Sequence, residues 1–162
     1  LKALDLCLTD SAEFSVDRLI LLSPFDILAF YAGGNPDNLA EIRTTIEKDI
    51  AESGPDASIR PTIFDMWDMS NATFLELTEA ENPADRFPSR NPKLIAEGHW
   101  LPEMTTFLGI GGEDFASHPS PGDVFNMLPN KSNLTAHLIE GAAHNFDGGL
   151  STLRSKVLEW LL

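Results

Sequence analysis

The 162-residue sequence predicts a three-layer α/β domain built on a mostly parallel sheet. Three observations carry that reading. Apolar, strand-forming runs occur at Val16–Pro24, Met104–Ile110 and Leu134–Glu140. The second and third are separated by a short amphipathic stretch, Pro121 to Asn130, of the kind that connects parallel neighbours. The last is followed by Leu150, Leu153, Val157, Leu158 and Leu161 at helical spacing. The resulting order is helix end, strand, long insert, strand, helix, strand, helix, which is an α/β pattern.

Taken in order, the chain opens on Leu1 to Leu8, which reads as the interior of a helix with no N-cap before it. That opening, on Leu rather than Met, leads us to expect a fragment whose missing part lies upstream. In the first strand, Leu19 to Leu22 is continuously apolar, as suits a strand buried on both faces, and Pro24 ends it. A long insert follows, from Asp26 to Trp100. Within it, Leu39, Ile42, Ile46 and Ile50 mark a helix over Asn38–Ser53, stopped by Ser53-Gly54-Pro55. A second helix is expected over Ile63–Leu77, after which Pro83, Pro88 and Pro92 break the pattern. An insert of this length between two sheet strands predicts a lid or cap. The division is therefore 1–25 and 101–162 for the α/β core and 26–100 for the cap. In the second strand, Thr, Phe and Ile favour extended backbone, and Gly111-Gly112 permits a tight turn before Glu113-Asp114. Gly141 ends the third strand, and Gly149 or Ser151 can open the last helix.

Composition excludes several classes. Hydrophobic residues are 43 % and charged residues 22 %, ordinary for a globular chain. A chain this size can bury roughly 69 % of its unfolded surface, enough for a real core. The formal charge of −14 repels phosphate backbones and anionic bilayers, so neither nucleic acid nor membrane is expected as a partner. The lone Cys7 permits no intrachain disulfide. No membrane-length apolar run and no signal peptide are visible, and a cytoplasmic location is expected. Asn71, Asn130 and Asn133 begin Asn-x-Ser/Thr sequons, read as chance.

Asp114 and His144 are the candidate site residues. Each follows a strand through a glycine-containing turn, and ligands of open α/β sheets sit at the carboxyl ends of the strands. An acid facing an imidazole suits nucleophilic catalysis: the carboxylate fixes the imidazole tautomer, and the imidazole takes a proton from a hydroxyl. Spacing alone leaves a second reading open, in which Asp114 caps a turn and His144 is an ordinary loop residue. Asp26 is a rival acid after the first strand. Ser23 precedes Pro24 without a strand-turn-helix elbow and is a poor nucleophile. His118, four residues from Asp114, lies beside Pro119 and Pro121, which break the helix a metal pair would need. His99 and His137 read as surface or packed histidines. Gly109-Ile110-Gly111-Gly112 fails the dinucleotide pattern, because its last glycine position falls on Asp114. Trp67, Phe74 and Trp100 suit either core or the lining of an acyl pocket.

The layout resembles the C-terminal part of the α/β-hydrolase superfamily, whose chain order is nucleophile, acid, histidine. Phe107 to Asp114 looks like the strand and Gly-x-x-Asp turn that carry the acid. Glu140-Gly141-Ala142-Ala143-His144-Asn145-Phe146 looks like the Gly-x-x-His loop, and Leu150 to Leu162 like the last helix. The resemblance implies a helical cap at 26–100, a small-molecule ester or acyl substrate, no cofactor, and Asp114 and His144 as two triad members. It also implies a serine upstream. No Gly-x-Ser-x-Gly occurs in the sequence, the oxyanion loop is missing, and three strands stand where the family has eight. The missing N-terminal segment would complete the sheet, and the chain alone is expected to be inactive. Two other readings remain: a non-catalytic remnant or interaction module that keeps the fold, and a doubly wound enzyme that binds a small ligand at its strand ends.

Overall fold

The computed structural model describes residues 16–24, 26–33, 35–60, 69–79 and 87–162. Three strands form one sheet in the order β1 (Arg18–Leu22), β2 (Thr105–Gly111), β3 (Leu134–Ile139). Both pairings are parallel, with Ile20 opposite Phe107 and Gly109 opposite His137. The α/β class with a parallel sheet is therefore present. The helices are α1 (Ile27–Tyr31), α2 (Pro36–Ser53), α3 (Asn71–Leu77), α4 (Pro92–Glu97), α5 (Pro121–Met127) and α6 (Leu150–Leu161).

The β2 sequence sorts its side chains by alternation, because successive residues of a strand point to opposite faces. Leu108 and Ile110 join Leu19 and Leu21 of β1 against Ile95 of α4 and Val124 of α5. Phe107 joins Ile139 and packs under Leu153 of α6. The sheet thus lies between two helical layers. A further core brings together Leu28, Tyr31, Ile46, Ile59 and Phe74, from α1, α2, α3 and the Ile59 segment. The apolar stripe of α2 supplies its long side.

Short helices are held by their caps. Ser70 and Ser120 accept from the N–H of Thr73 and Asp123, and Asn91 accepts from Leu94. Pro92 and Pro121 open α4 and α5, where a missing N–H costs nothing.

Several expectations are corrected. β1 is not buried on both faces: Leu19 and Leu21 are buried, but Ile20 and Leu22 are 39 % and 48 % exposed. Leu22 shares the α6 side of the sheet, since it and Leu153 both approach Gly109. Among the described residues, α6 packs mainly over β2 and β3 and meets β1 through Arg18, whose Nη1 donates to the Leu161 carbonyl at 2.9 Å. The helix expected over Ile63–Leu77 is interrupted at Met69 and Ser70, and its described part is Asn71–Leu77. Ser58 and Ser70 pair as an antiparallel bridge, and Ser70 then caps the helix. Residues 61–68, with Trp67, and residues 1–15, with Cys7 and the opening apolar stretch, lie outside the described residues. Phe74 and Trp100 lie in separate cores, as the core reading of both expects. Phe74 is sealed with Tyr31, and Trp100 packs edge-on against Phe87 in the other core. The helix read from Asn38 starts at Pro36. Among the described residues, no helix is long and apolar enough to cross a membrane.

Candidate active site

Parallel pairing of β2 and β3 puts the loops after both strands on one edge of the sheet. Asp114 follows β2 and His144 follows β3. Close zippering of the two loops brings the side chains together. The N–H of Gly112 donates to the Ile139 carbonyl at 2.9 Å, and the N–H of Glu113 donates to the Ala142 carbonyl at 2.9 Å. Gly111 makes this approach possible. A Cβ there would stand 2.6 Å from the Ala142 carbonyl oxygen and closer still to that of Ala143. Any side chain at position 111 would push the histidine loop away.

The histidine loop is closed on itself. The N–H of Ala143 donates to the Asp147 carbonyl at 3.0 Å, and that of Phe146 to the Ala143 carbonyl at 2.9 Å. Asn145 Nδ2 donates to Asp147 Oδ2 at 2.7 Å. Phe146 holds a left-handed backbone (φ 63°). That conformation is costly for a bulky residue and is maintained here by burying the ring with Phe107, Ile139 and Leu153.

His144 Nδ1 lies 2.9 Å from Asp114 Oδ1. The Asp114 side chain is fully buried, and the His144 side chain is 34 % exposed. Asp114 also accepts from the Ala116 N–H at 2.8 Å and from Ser117 Oγ at 3.2 Å. Donors converge on both oxygens, as a buried carboxylate requires. With a proton on Nδ1, Nε2 is the basic nitrogen of the ring. A buried acid and an oriented, part-exposed imidazole are an arrangement that can transfer a proton.

Asp26 and Ser23 take other roles. Asp26 N-caps α1, accepting from the Ala29 N–H at 2.9 Å. It also accepts from the Arg90 N–H at 2.9 Å and from Arg90 Nη1 at 2.6 Å. Burial pushes the Asp26 carboxyl above its ordinary range, while the Arg90 and Ala29 N–H groups and the Arg90 charge pull it part of the way back. Its carboxylate is engaged in tying α1 to the segment before α4. Ser23 is buried, with a left-handed backbone (φ 41°), and its Oγ accepts from the Gly111 N–H at 3.4 Å. It braces the ends of β1 and β2.

Of the remaining histidines, His118 lies near Phe30, its ring tilted 44° to that of the phenylalanine at 6.4 Å between centroids. His137 packs against Phe107, and burial lowers its affinity for a proton. His99 is exposed beside Glu97. Asn71 is buried, and Asn133 Nδ2 bonds the Pro102 carbonyl at 2.8 Å, which leaves Asn130 as the exposed sequon.

Two site residues were missed by sequence reasoning. Ser117 stands three residues after Asp114, a spacing that signals a side-chain turn. Phe115, whose ring centroid is 5.6 Å from that of His144, gave no such signal.

No protein-family model matches the chain, and a comparison with curated proteins returns no relative.

Proposed function

We propose that this chain is the C-terminal portion of an α/β-hydrolase-type serine hydrolase, acting on an ester or related acyl bond. The observation that carries the reading is the 2.9 Å contact between His144 Nδ1 and a fully buried Asp114, from loops after adjacent parallel strands. In this reading, Asp114 holds the Nδ1–H tautomer and stabilises the imidazolium. His144 Nε2 takes the proton of a serine hydroxyl as that oxygen attacks the acyl carbon. It then returns the proton to the leaving oxygen as the acyl-enzyme forms. The serine and the oxyanion donors come from a segment N-terminal to β1, since the sequence holds no Gly-x-Ser-x-Gly. The separate core of α1, α2 and α3, inserted between β1 and β2, supports the cap reading of residues 26–100.

The test is fluorophosphonate treatment of the protein from its native source, followed by intact-mass measurement. A fluorophosphonate phosphonylates an activated serine and releases fluoride. A species heavier than 17.8 kDa carrying one adduct is the expected result. A 17.8 kDa species with no adduct overturns the reading in favour of a non-catalytic module that retains the fold.

A further inference from the structure

We infer that Phe115 is the apolar wall of the ligand site, and that its ligand is a neutral ester whose acyl group carries an aryl ring one methylene from the carbonyl; this deepens, and rests on, the acyl-hydrolase reading. Phe115 is 59 % exposed, although both neighbours in the chain are buried. Its exposure is not the looseness of a free loop. The backbone on its C-terminal side is tied to Asp114 by the Ala116 N–H and Ser117 Oγ. Further on, the His118 carbonyl accepts from Ser89 Oγ at 2.8 Å. The loop is pinned by polar contacts while a phenyl ring is held out to water. Apolar area kept wet in a fixed frame is area a ligand can cover with a gain in free energy.

Placement gives this ring its role. It lies 5.6 Å from the His144 ring and 6.1 Å, edge-on, from Phe30. Both separations are within the range of favourable aromatic pairs. Phe30 belongs to α1 after β1, Phe115 to the loop after β2, and His144 to the loop after β3. Phe115 thus stands between the Phe30 ring and the His144 ring in its contacts. A flat apolar group laid there would present its adjoining carbonyl toward His144. The chain's charge of −14 opposes anionic ligands, and the acyl-hydrolase reading supplies the ester.

The experiment is an NMR titration of the whole protein, as produced at its native length, with methyl phenylacetate, methyl acetate and phenylacetate. The His144 imidazole and Phe115 ring signals are followed. Methyl phenylacetate is expected to shift both sets and to bind about tenfold more tightly than either of the others. F115A is expected to remove most of that preference, F115L to keep part of it, and H144A to keep it. The His144 ring-nitrogen shifts in F115A report whether the neighbouring site stays intact. Equal affinity of F115A and the parent for methyl phenylacetate, or shifts confined to residues away from His144, would overturn the inference. Failure of the fluorophosphonate test with Phe115-dependent binding retained would remove the hydrolase reading and leave the aromatic wall standing.

Discussion

At the scale of single residues, Asp114 is defined by what donates to it. The Ala116 N–H and Ser117 Oγ bond the same carboxylate that meets His144 Nδ1. D114N replaces one acceptor oxygen by a donor and sets it against these groups. The expected result is a His144 ring that loses its Nδ1–H preference, read from its nitrogen chemical shifts. Stability should fall by about 2 kcal/mol, the scale of one hydrogen bond to a charged group. A His144 ring with unchanged nitrogen shifts in D114N would mean that Asp114 does not set the tautomer. Gly111 acts one step further back. G111A places a methyl group against the Ala142 and Ala143 carbonyls. Backbone yields less readily than side chains, so the cost should reach the upper part of the usual overpacking range, about 3 kcal/mol. Urea unfolding measures it. The same variant should disturb the His144 nitrogen shifts, because the histidine loop must retreat. A G111A protein with parental stability and shifts would show that the zippering has slack.

At the scale of elements, the pair Asp114 and His144 was legible because each residue follows a strand through a glycine turn. The reach of Gly111 toward the opposite loop was not, since a glycine in a strand gives no hint of what approaches it. Asp26 shows the same limit. By type and position it could serve as a site acid, and its actual role depends on Arg90, 64 residues away. The β1 run looked like a doubly buried strand because Leu19 to Leu22 are all apolar, and only tertiary packing reveals that Ile20 and Leu22 keep 39 % and 48 % of their surface exposed. The clamp between α1 and the segment before α4 has a testable pH signature. In the unfolded chain Asp26 ionises near 3.8, and in the folded chain burial raises that value. Between the two, the folded chain keeps a proton that the unfolded chain has lost. Stability from this group therefore falls as pH rises through the window and levels off above it. D26N keeps a good N-cap and removes the titration. The stability of the parent minus that of D26N, measured by urea unfolding, should decline from about pH 3.8 upward and then flatten. A difference that climbs over this range would mean that Arg90 outweighs burial.

At the scale of the molecule, surface charge and an open sheet edge act in opposite directions. Among the described residues, no strand pairs with β1 on the side away from β2. Its backbone groups there, with Ile20 and Leu22 beside them, form the kind of edge that recruits another strand. Against this stands a net charge of −14, which makes copies of the chain repel one another. Salt shortens that repulsion to about 8 Å at physiological ionic strength and to about 3 Å at 1 M. It leaves hydrogen bonding at the edge intact, and the apolar contribution does not weaken in step. Self-association should consequently rise with salt, and sedimentation at several salt and protein concentrations measures it. I20K puts a charge on the part-exposed face of the edge strand. The variant should remain monomeric under conditions in which the parent associates, with stability within about 0.5 kcal/mol of the parent, as befits a surface change. Association of I20K equal to that of the parent would move the sticky surface elsewhere, and a parent that stays monomeric at 1 M salt would show that the edge is already protected.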